Sequence, residues 1–315
     1  MILQLNTDDF NSLLNKAARK PASLRATEFG YVDESLLSEG IAILYYNDSK
    51  HKKIKLIVYC PFFVLDENDD EDELWKLNHA NIKRLINRLD KQICKYFHSD
   101  CGLNDFSLAR LDLIADLDIG DRDTVANYIK VLRNIGRVKR YSPLKLKEQD
   151  GLTKENCFGL TGNSNGIEFL IHTLKRDKNV LRVEARLMKK TAVQAYSDKT
   201  NTADQIRELA ERSGSIFMDV FRSIVPKGDF YKMDKARNLV RERVHDWHMK
   251  SRMIRFLTLV KEKKSLHLAY KAMSYRNYDK IMAAFAKVDV SPVTINKRQK
   301  TNHLMSLYSY FSNAQ

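Results

Sequence analysis

An α+β fold follows from three features of this 315-residue chain: strand-like alternation before residue 200, helical periodicity after it, and a shift in charge at the same point. The expected architecture is an antiparallel-sheet N-terminal domain over 1–200, followed by a mostly helical, basic C-terminal domain over 201–315. The clearest alternation lies in Ser107–Ile119, SLARLDLIADLDI. As a strand, its Leu111, Leu113, Ala115, Leu117 and Ile119 line one face, and Arg110, Asp112, Asp116 and Asp118 line the other with Ile114. Val180–Met188, VLRVEARLM, repeats the scheme, with Leu181, Val183, Ala185 and Leu187 opposite Arg182, Glu184 and Arg186. An apolar back holds such strands in a sheet. A carboxylate-and-arginine front suits the floor of a metal or phosphate site.

The remaining elements follow in chain order. Within a mixed first 36 residues, Asn11–Ala18 reads as a short helix. Gly40–Tyr46 and Lys53–Leu65 read as strands, the second with Pro61 at an edge or bulge. The acidic run Asp66–Glu73, DENDDEDE, reads as a solvated loop. Leu74–His98 is helical, because Ile82, Leu85, Ile86, Leu89, Ile93 and Phe97 recur at three- and four-residue spacing. After the 107–119 strand come a helix from Thr124 to Asn134 and a short strand at Phe158–Leu160. Gly166–Leu174, GIEFLIHTL, and the 180–188 strand form a hairpin around Lys175–Asn179. Helices are then expected at Ala203–Ile224, Asp234–Lys261, Ser265–Met273, Tyr275–Val288 and Lys300–Tyr310, punctuated by Pro226, Gly228 and Pro292.

The formal net charge is +14 and hydrophobic residues make up 43% of the chain, which excludes a disordered acidic or low-complexity protein. From Asn201 onward 22 Lys plus Arg stand against 11 Asp plus Glu, a surplus of +11, which leaves +3 for the first 200 residues. A basic C-terminal half points to a polyanion, DNA or RNA before an anionic membrane; a plain basic surface is the competing reading. Arg237, Arg241, Arg243, Lys250, Arg252 and Arg255 cluster beside His245, Trp247 and His248, and are the expected DNA contacts. Ser265–Tyr310 has room for a helix-turn-helix with its turn near Asp289–Ser291; an aromatic-packed helical bundle is the alternative there. Cys60, Cys94, Cys101 and Cys157 form no CxxC pair and no zinc spacing, as expected of free thiols in a reducing cytoplasm. No signal peptide or run of 18 apolar residues is present, so a cytoplasmic protein without a membrane partner is expected.

In the hairpin, Glu168, Leu170, His172 and Leu174 share one strand face. If the three strands are neighbours, Asp112, Asp116, His172 and Glu184 meet on one front. Carboxylates with one imidazole suit Mg²⁺ or Mn²⁺, which polarises a phosphodiester. The alternative is a polar face whose arginines 110, 182 and 186 make cross-strand ion pairs.

RLDLIADLD (Arg110–Asp118), SNGIEFLIHTLKRD (Ser164–Asp177) and LRVEARLMKK (Leu181–Lys190) together resemble, in order and spacing, the replication initiation factor family of rolling-circle initiators. Such proteins serve plasmids, some phages and conjugative elements. The resemblance covers roughly residues 108–190 and leaves the helical half out. It implies a strand-nicking and -joining endonuclease that attacks origin DNA with a tyrosine, keeps a 5′-phosphotyrosine link, and uses Mg²⁺ or Mn²⁺. By position it assigns Asp112, Asp116 and Glu184 to the acidic metal motif, Arg110 and Arg182 to the motif arginines, and Lys175 to the lysine after the tyrosine. The family's tyrosine falls here on His172. Three readings stay open: His172 as a metal ligand with Tyr196 or Tyr141 as nucleophile, a shifted motif register, or a chain that binds DNA without nicking it. A metal nuclease without covalent chemistry is a further class. Implied partners are origin DNA, single- or double-stranded, host replication proteins and a second copy of the chain.

Overall fold

A computed structural model describes residues 1–7, 9–18, 24–47, 52–64, 78–98, 101–146, 152–174, 177–273 and 277–312. The acidic run Asp66–Glu73 and Lys175 lie outside the described residues. The elements are β1 (Ile2–Asn6), α1 (Phe10–Ala18), β2 (Leu24–Thr27), β3 (Gly30–Asp33), β4 (Ile41–Asn47), β5 (Lys52–Val58), α2 (Pro61–Val64), α3 (His79–Tyr96) and β6 (Ser107–Asp118). Then come α4 (Arg122–Leu132), β7 (Tyr141–Pro143), β8 (Cys157–Gly162), β9 (Ile167–Thr173), β10 (Val180–Leu187), α5 (Lys190–Gln194) and α6 (Thr202–Glu211). The rest is α7 (Ser213–Ile224), β11 (Phe230–Tyr231), α8 (Met233–Arg243), α9 (Trp247–Lys263), α10 (Leu266–Lys271), α11 (Tyr278–Lys287), β12 (His303–Leu304) and α12 (Leu307–Ser312). The fold is α+β, an antiparallel N-terminal sheet followed by a mostly helical C-terminal region.

The residues group into two compact units, each built from two pieces of chain. The first is Met1–Asp112 with Arg186–Ile216, the second Leu113–Ala185 with Phe217–Gln315. The strands β6 and β10 thus contribute residues to both, and the grouping does not follow a single break near residue 200.

In the first unit the strand order is β2-β3-β4-β5-β1-β6, antiparallel at every pairing. Period-two alternation sends Leu3, Leu5, Ile41, Ile43, Tyr45, Ile54, Leu56 and Val58 into the core. On that face Phe10 of α1 meets the Tyr45 ring edge-on at 6.0 Å. The predicted stripe of α3 (Ile82, Leu85, Ile86, Leu89, Ile93) is buried, each side chain gaining about 1.5–3 kcal/mol over exposure. Asn78 caps α3 by accepting from the Asn81 N–H at 2.8 Å. The expected strand Lys53–Leu65 stops at Val58, because Pro61 occupies the first position of α2, where its missing N–H costs nothing. The three short strands β1, β2 and β3 within the first 36 residues carry too few residues to show alternation from sequence.

In the second unit the order is β6-β10-β9-β8-β7. The α4 helix packs on β8 and β9, and Phe169 of β9 meets Phe221 of α7 at 6.0 Å. The long Asp234–Lys261 helix divides into α8 and α9 at residues 244–246, where the Asp246 side chain caps α9 by accepting from the Met249 N–H. The helix-turn-helix expected within Ser265–Tyr310 does not form. The chain turns at Asp289 (φ +52°). Residues 290–295 then run buried, bridging Val290 to Asp229 and Ile295 to Lys232. No helix among the described residues is long and apolar enough to cross a membrane.

Asp33 is 1% exposed in the first unit's core. The Tyr96 hydroxyl donates to its Oδ2 at 2.6 Å and the Ser35 N–H to its Oδ1 at 2.8 Å, while the Tyr45 and Tyr96 hydroxyls lie 3.0 Å apart. Removing a donor from a buried carboxylate costs about 1–3 kcal/mol. Tyr96→Phe is therefore expected to lower stability by about that much in urea unfolding, and no change would show that Asp33 does not depend on this donor. Burial also pushes the Tyr45 pKa up to about 12 from its ordinary 10. The folded state holds that proton longer than the unfolded chain, so the stabilisation is complete below pH 10 and is lost as pH rises through 12. Alkaline unfolding should steepen above pH 10, and Tyr45→Phe should remove one group's share of that slope, since burial raises Tyr96, Tyr128, Tyr278 and Tyr308 as well.

Candidate functional site

The polar front is produced by a slip in β6. Leu3 of β1 faces Leu108, but Ile2 faces Arg110, so Ala109 is an extra residue. Such a bulge switches the parity of everything after it. Leu108 is buried before it, Leu113 and Leu117 after it, and Ile114 is 51% exposed on the opposite face. The strand β10 needs no correction: Leu181, Val183, Ala185 and Leu187 are all buried.

In the first unit, Arg110 donates through Nε to Asp112 Oδ1 at 2.7 Å, both side chains about a quarter exposed. In the second, three adjacent strands carry two cross-strand pairs. Arg182 of β10 grips Asp116 of β6 with both arms, Nε to Oδ1 at 2.7 Å and Nη2 to Oδ2 at 2.6 Å. Glu184, two residues further along β10, lies 2.8 Å through Oε1 from Nε2 of His172 on β9. The Asp116 hydrogen bonds push the Arg182 pKa up from its ordinary value, and the Glu184 charge adds to that direction. Acid and base therefore alternate across the front as Asp116, Arg182, Glu184 and His172.

Glu184 is only 6% exposed. A charge so occluded needs a cation and hydrogen bonds around it, and His172 supplies one. Nδ1 of His172 lies 3.1 Å from the Thr173 carbonyl oxygen. Both ring nitrogens thus face acceptors. Both contacts are hydrogen bonds when the ring carries two protons, or when the Glu184 carboxyl carries one. Either way no ring lone pair points away from a partner, so in this arrangement His172 offers none to phosphorus or to a metal.

Asp112, Asp116 and Glu184 are expected to converge on Mg²⁺ or Mn²⁺. Among the described residues no group of three or more His, Cys, Asp or Glu is arranged to hold a metal ion. Both oxygens of Asp116 are taken by the Arg182 fork, and Asp112 is engaged by Arg110. The residues as placed do not present a coordination set, and no step below is routed through a metal.

The expected tyrosines stand elsewhere. Tyr141, on β7 and 5% exposed, accepts a hydrogen bond from Asn165 Nδ2 at 3.2 Å. Two strands lie between it and β10, and the three inter-strand spacings amount to roughly 14 Å. Tyr196 follows α5 in the first unit, half-buried, with its carbonyl oxygen accepting from Arg212 at 2.8 Å.

The expected DNA contacts divide into two kinds. Arg237 turns inward, donating from Nη2 to Thr258 Oγ1 at 2.9 Å and so pinning α8 to α9. Arg243 is exposed but donates to the Val288 carbonyl at 2.7 Å. Arg241 and Arg255 are exposed, and Lys250 and Arg252 partly so. Beside them Trp247, at the first position of α9, is 69% exposed, with His248 against its ring edge at 5.2 Å. The two helices are joined by three residues, 244–246, and the start of the second displays Trp247, His248 and Lys250 to solvent. A helix whose first turns are free in this way can enter a groove of DNA. One basic cluster escaped the sequence reading: Lys55, Lys189 and Lys190 in the first unit. Its signal was the alternation Lys53-Ile54-Lys55 in a strand, which aims two cations outward.

Comparison with family models, with curated proteins and with solved structures finds no match to this chain.

The His172–Glu184 contact is testable by a double-mutant cycle on stability. His172→Gln and Glu184→Gln are each expected to cost about 1–3 kcal/mol, and the double variant clearly less than their sum. Strict additivity would show that the two groups do not interact.

Proposed function

We propose that this chain is a rolling-circle replication initiator that binds origin DNA and nicks and rejoins one strand. The observation that supports it is the meeting of three motifs, of which the first lies well before the other two in sequence. RLDLIADLD, the His172 segment and LRVEARL lie on β6, β9 and β10, with β10 between the other two, and their polar residues pair across that order. The exposed basic start of α9 supplies the duplex-binding element. In the nicking step a tyrosine hydroxyl gives up its proton, its oxygen bonds to the scissile phosphorus, the P–O3′ bond breaks, and the 3′ oxygen leaves as a hydroxyl by taking up a proton. The reverse reaction rejoins the strand. His172, paired with Glu184, is our candidate for giving the leaving 3′ oxygen its proton.

The engagement of Asp112, Asp116 and His172 favours a second reading, a non-catalytic DNA-binding replication or regulatory protein on the same scaffold. One assay separates the two. The full chain is incubated with labelled single-stranded DNA of many sequences and Mn²⁺, and covalent adducts are mapped. Nicking predicts an acid-stable adduct on a tyrosine, which replacing that tyrosine by phenylalanine removes while DNA binding persists. Cleavage without adduct indicates a nuclease using water. Absence of cleavage throughout leaves the binder. On either DNA reading, neutralising Arg241, Lys250 and Arg255 together should weaken duplex binding by about tenfold or more and reduce its salt slope by about 2 to 3, because each lost phosphate contact removes about 0.9 from that slope. Unchanged affinity would remove α8–α9 from the interface.

A further inference from the structure

The outward face of the first unit's sheet carries a cationic cleft whose three lysines have no ion-pair partner among the described residues. In β5, Ile54, Leu56 and Val58 enter the core, so Lys53, Lys55 and Ile57 point away from it. The register aligns Lys55 with Gln4 and Gln4 with Ser107, and in the next row Ile57 with Ile2 and Ile2 with Arg110. Three strands therefore floor one surface, and Met188, Lys189 and Lys190, just past β10, wall it. The cleft is open to solvent and measures about 460 Å³, the size of a small-ligand site, and Lys55, Arg110, Lys189 and Lys190 line it with Gln4 and Ser107. No Asp or Glu is among its lining residues.

These cations are short of anions. Lys55, Lys189 and Lys190 make no ion pair with a described residue, and Arg110 meets Asp112 through Nε alone. Burial, and then the charge of Lys53, push the Lys55 pKa down. An ammonium in that position gains from an incoming anion. Along the same strand, the Lys53 ammonium lies 5.0 Å over the Tyr46 ring, and Phe29 stacks on Tyr46 at 6.0 Å with a 24° tilt. Phe29 is itself 53% exposed.

We propose that this cleft binds the backbone of single-stranded DNA, with Lys55, Arg110, Lys189 and Lys190 on successive phosphates and Phe29 stacking on a base. A row of cations beside an exposed ring is the pairing that a flexible single strand uses, since phosphates and unstacked bases are offered together. A duplex keeps its bases inside and presents a convex surface, which a cleft of this size does not admit. The proposal rests on the reading of the chain as a DNA-handling protein and adds which surface takes the separated strand.

The test measures fluorescence polarisation of a labelled oligothymidylate of about 20 residues with the full chain, across a salt series. Lys55→Gln/Lys189→Gln/Lys190→Gln is expected to weaken binding about tenfold or more and to lower the salt slope by about 2, at 0.7 per phosphate for a single strand. Duplex affinity and the circular dichroism spectrum should stay as in the parent. Phe29→Ala is expected to weaken oligothymidylate binding about fivefold or more. If the triple variant binds the oligomer as the parent does, while the Arg241/Lys250/Arg255 variant loses duplex binding, the cleft is not the single-strand site and the proposed function stands. If neither variant loses affinity, both fall. If inorganic polyphosphate competes as well, phosphate for phosphate, as unlabelled oligothymidylate, the cleft is a general anion site and the single-strand assignment is overturned.

Discussion

Glu184 sits in a sheet with about one-twentieth of its surface exposed, and much of the second unit's polar front can be understood from what keeps it there. A lone carboxylate in that setting would take up a proton or pull the strand toward water. His172 answers it from one neighbouring strand, and the Arg182 charge lies close enough to be felt. Arg182 is in turn fixed by both oxygens of Asp116 on the other neighbouring strand. Each group is placed by the next, and the register of β6 against β10 and of β10 against β9 is held by polar contacts as well as by the apolar back. A one-residue slip would carry Glu184 to the apolar side and turn Val183 out of the core, which is why alternation and pairing reinforce one another here.

The same interlocking limits what the front can do in this arrangement. An arginine fork that occupies both oxygens of a carboxylate leaves little for a cation, and an imidazole between two acceptors has no lone pair to offer phosphorus. Chemistry at these residues requires the Arg182–Asp116 pair to open. An approaching phosphate is a group able to compete for that guanidinium, since it too accepts a bidentate pair of hydrogen bonds. On the proposed DNA-nicking reading, transfer of Arg182 from Asp116 to a phosphate would uncover the carboxylate. A site of that kind stays electrically balanced until it is loaded.

Much of this was legible in the sequence where one residue's neighbours decide its face. The alternation in β6 and β10 announced both the apolar back and the paired front, and the stripe of α3 lies where Ile82, Leu85, Ile86, Leu89 and Ile93 put it. Legibility failed where the deciding contact is distant. The bulge at Ala109 exists because β1, a hundred residues earlier, faces β6 at that point. The strands β2 and β3 have four residues each, too short for a period to show. Residues 290–295 follow a turn at Asp289 and hold a proline, yet they run buried beside Asp229 and Lys232. The two-piece construction of both units has the same origin, since sheet pairing joins segments that composition along the chain treats as separate.

Charge shows the same difference between a sum and a place. A surplus of +3 over 200 residues marks the first part of the chain as nearly neutral, and the +11 of the remainder draws attention to the helices. Yet part of that +11 is engaged internally, because Arg237 holds Thr258 and Arg243 holds the Val288 carbonyl. In the nearly neutral part, strand alternation sorts lysines to one side of β5 and the turn after β10 adds two more, so a cleft without a single lining carboxylate arises where the average predicts nothing. Within about 10 Å, the screening length at ordinary salt, an anion responds to the charges of that cleft and hardly to the sum over the chain. For a polyanion the relevant quantity is therefore the spacing of unpaired cations on one face, and that is set by the register of β5, β1 and β6.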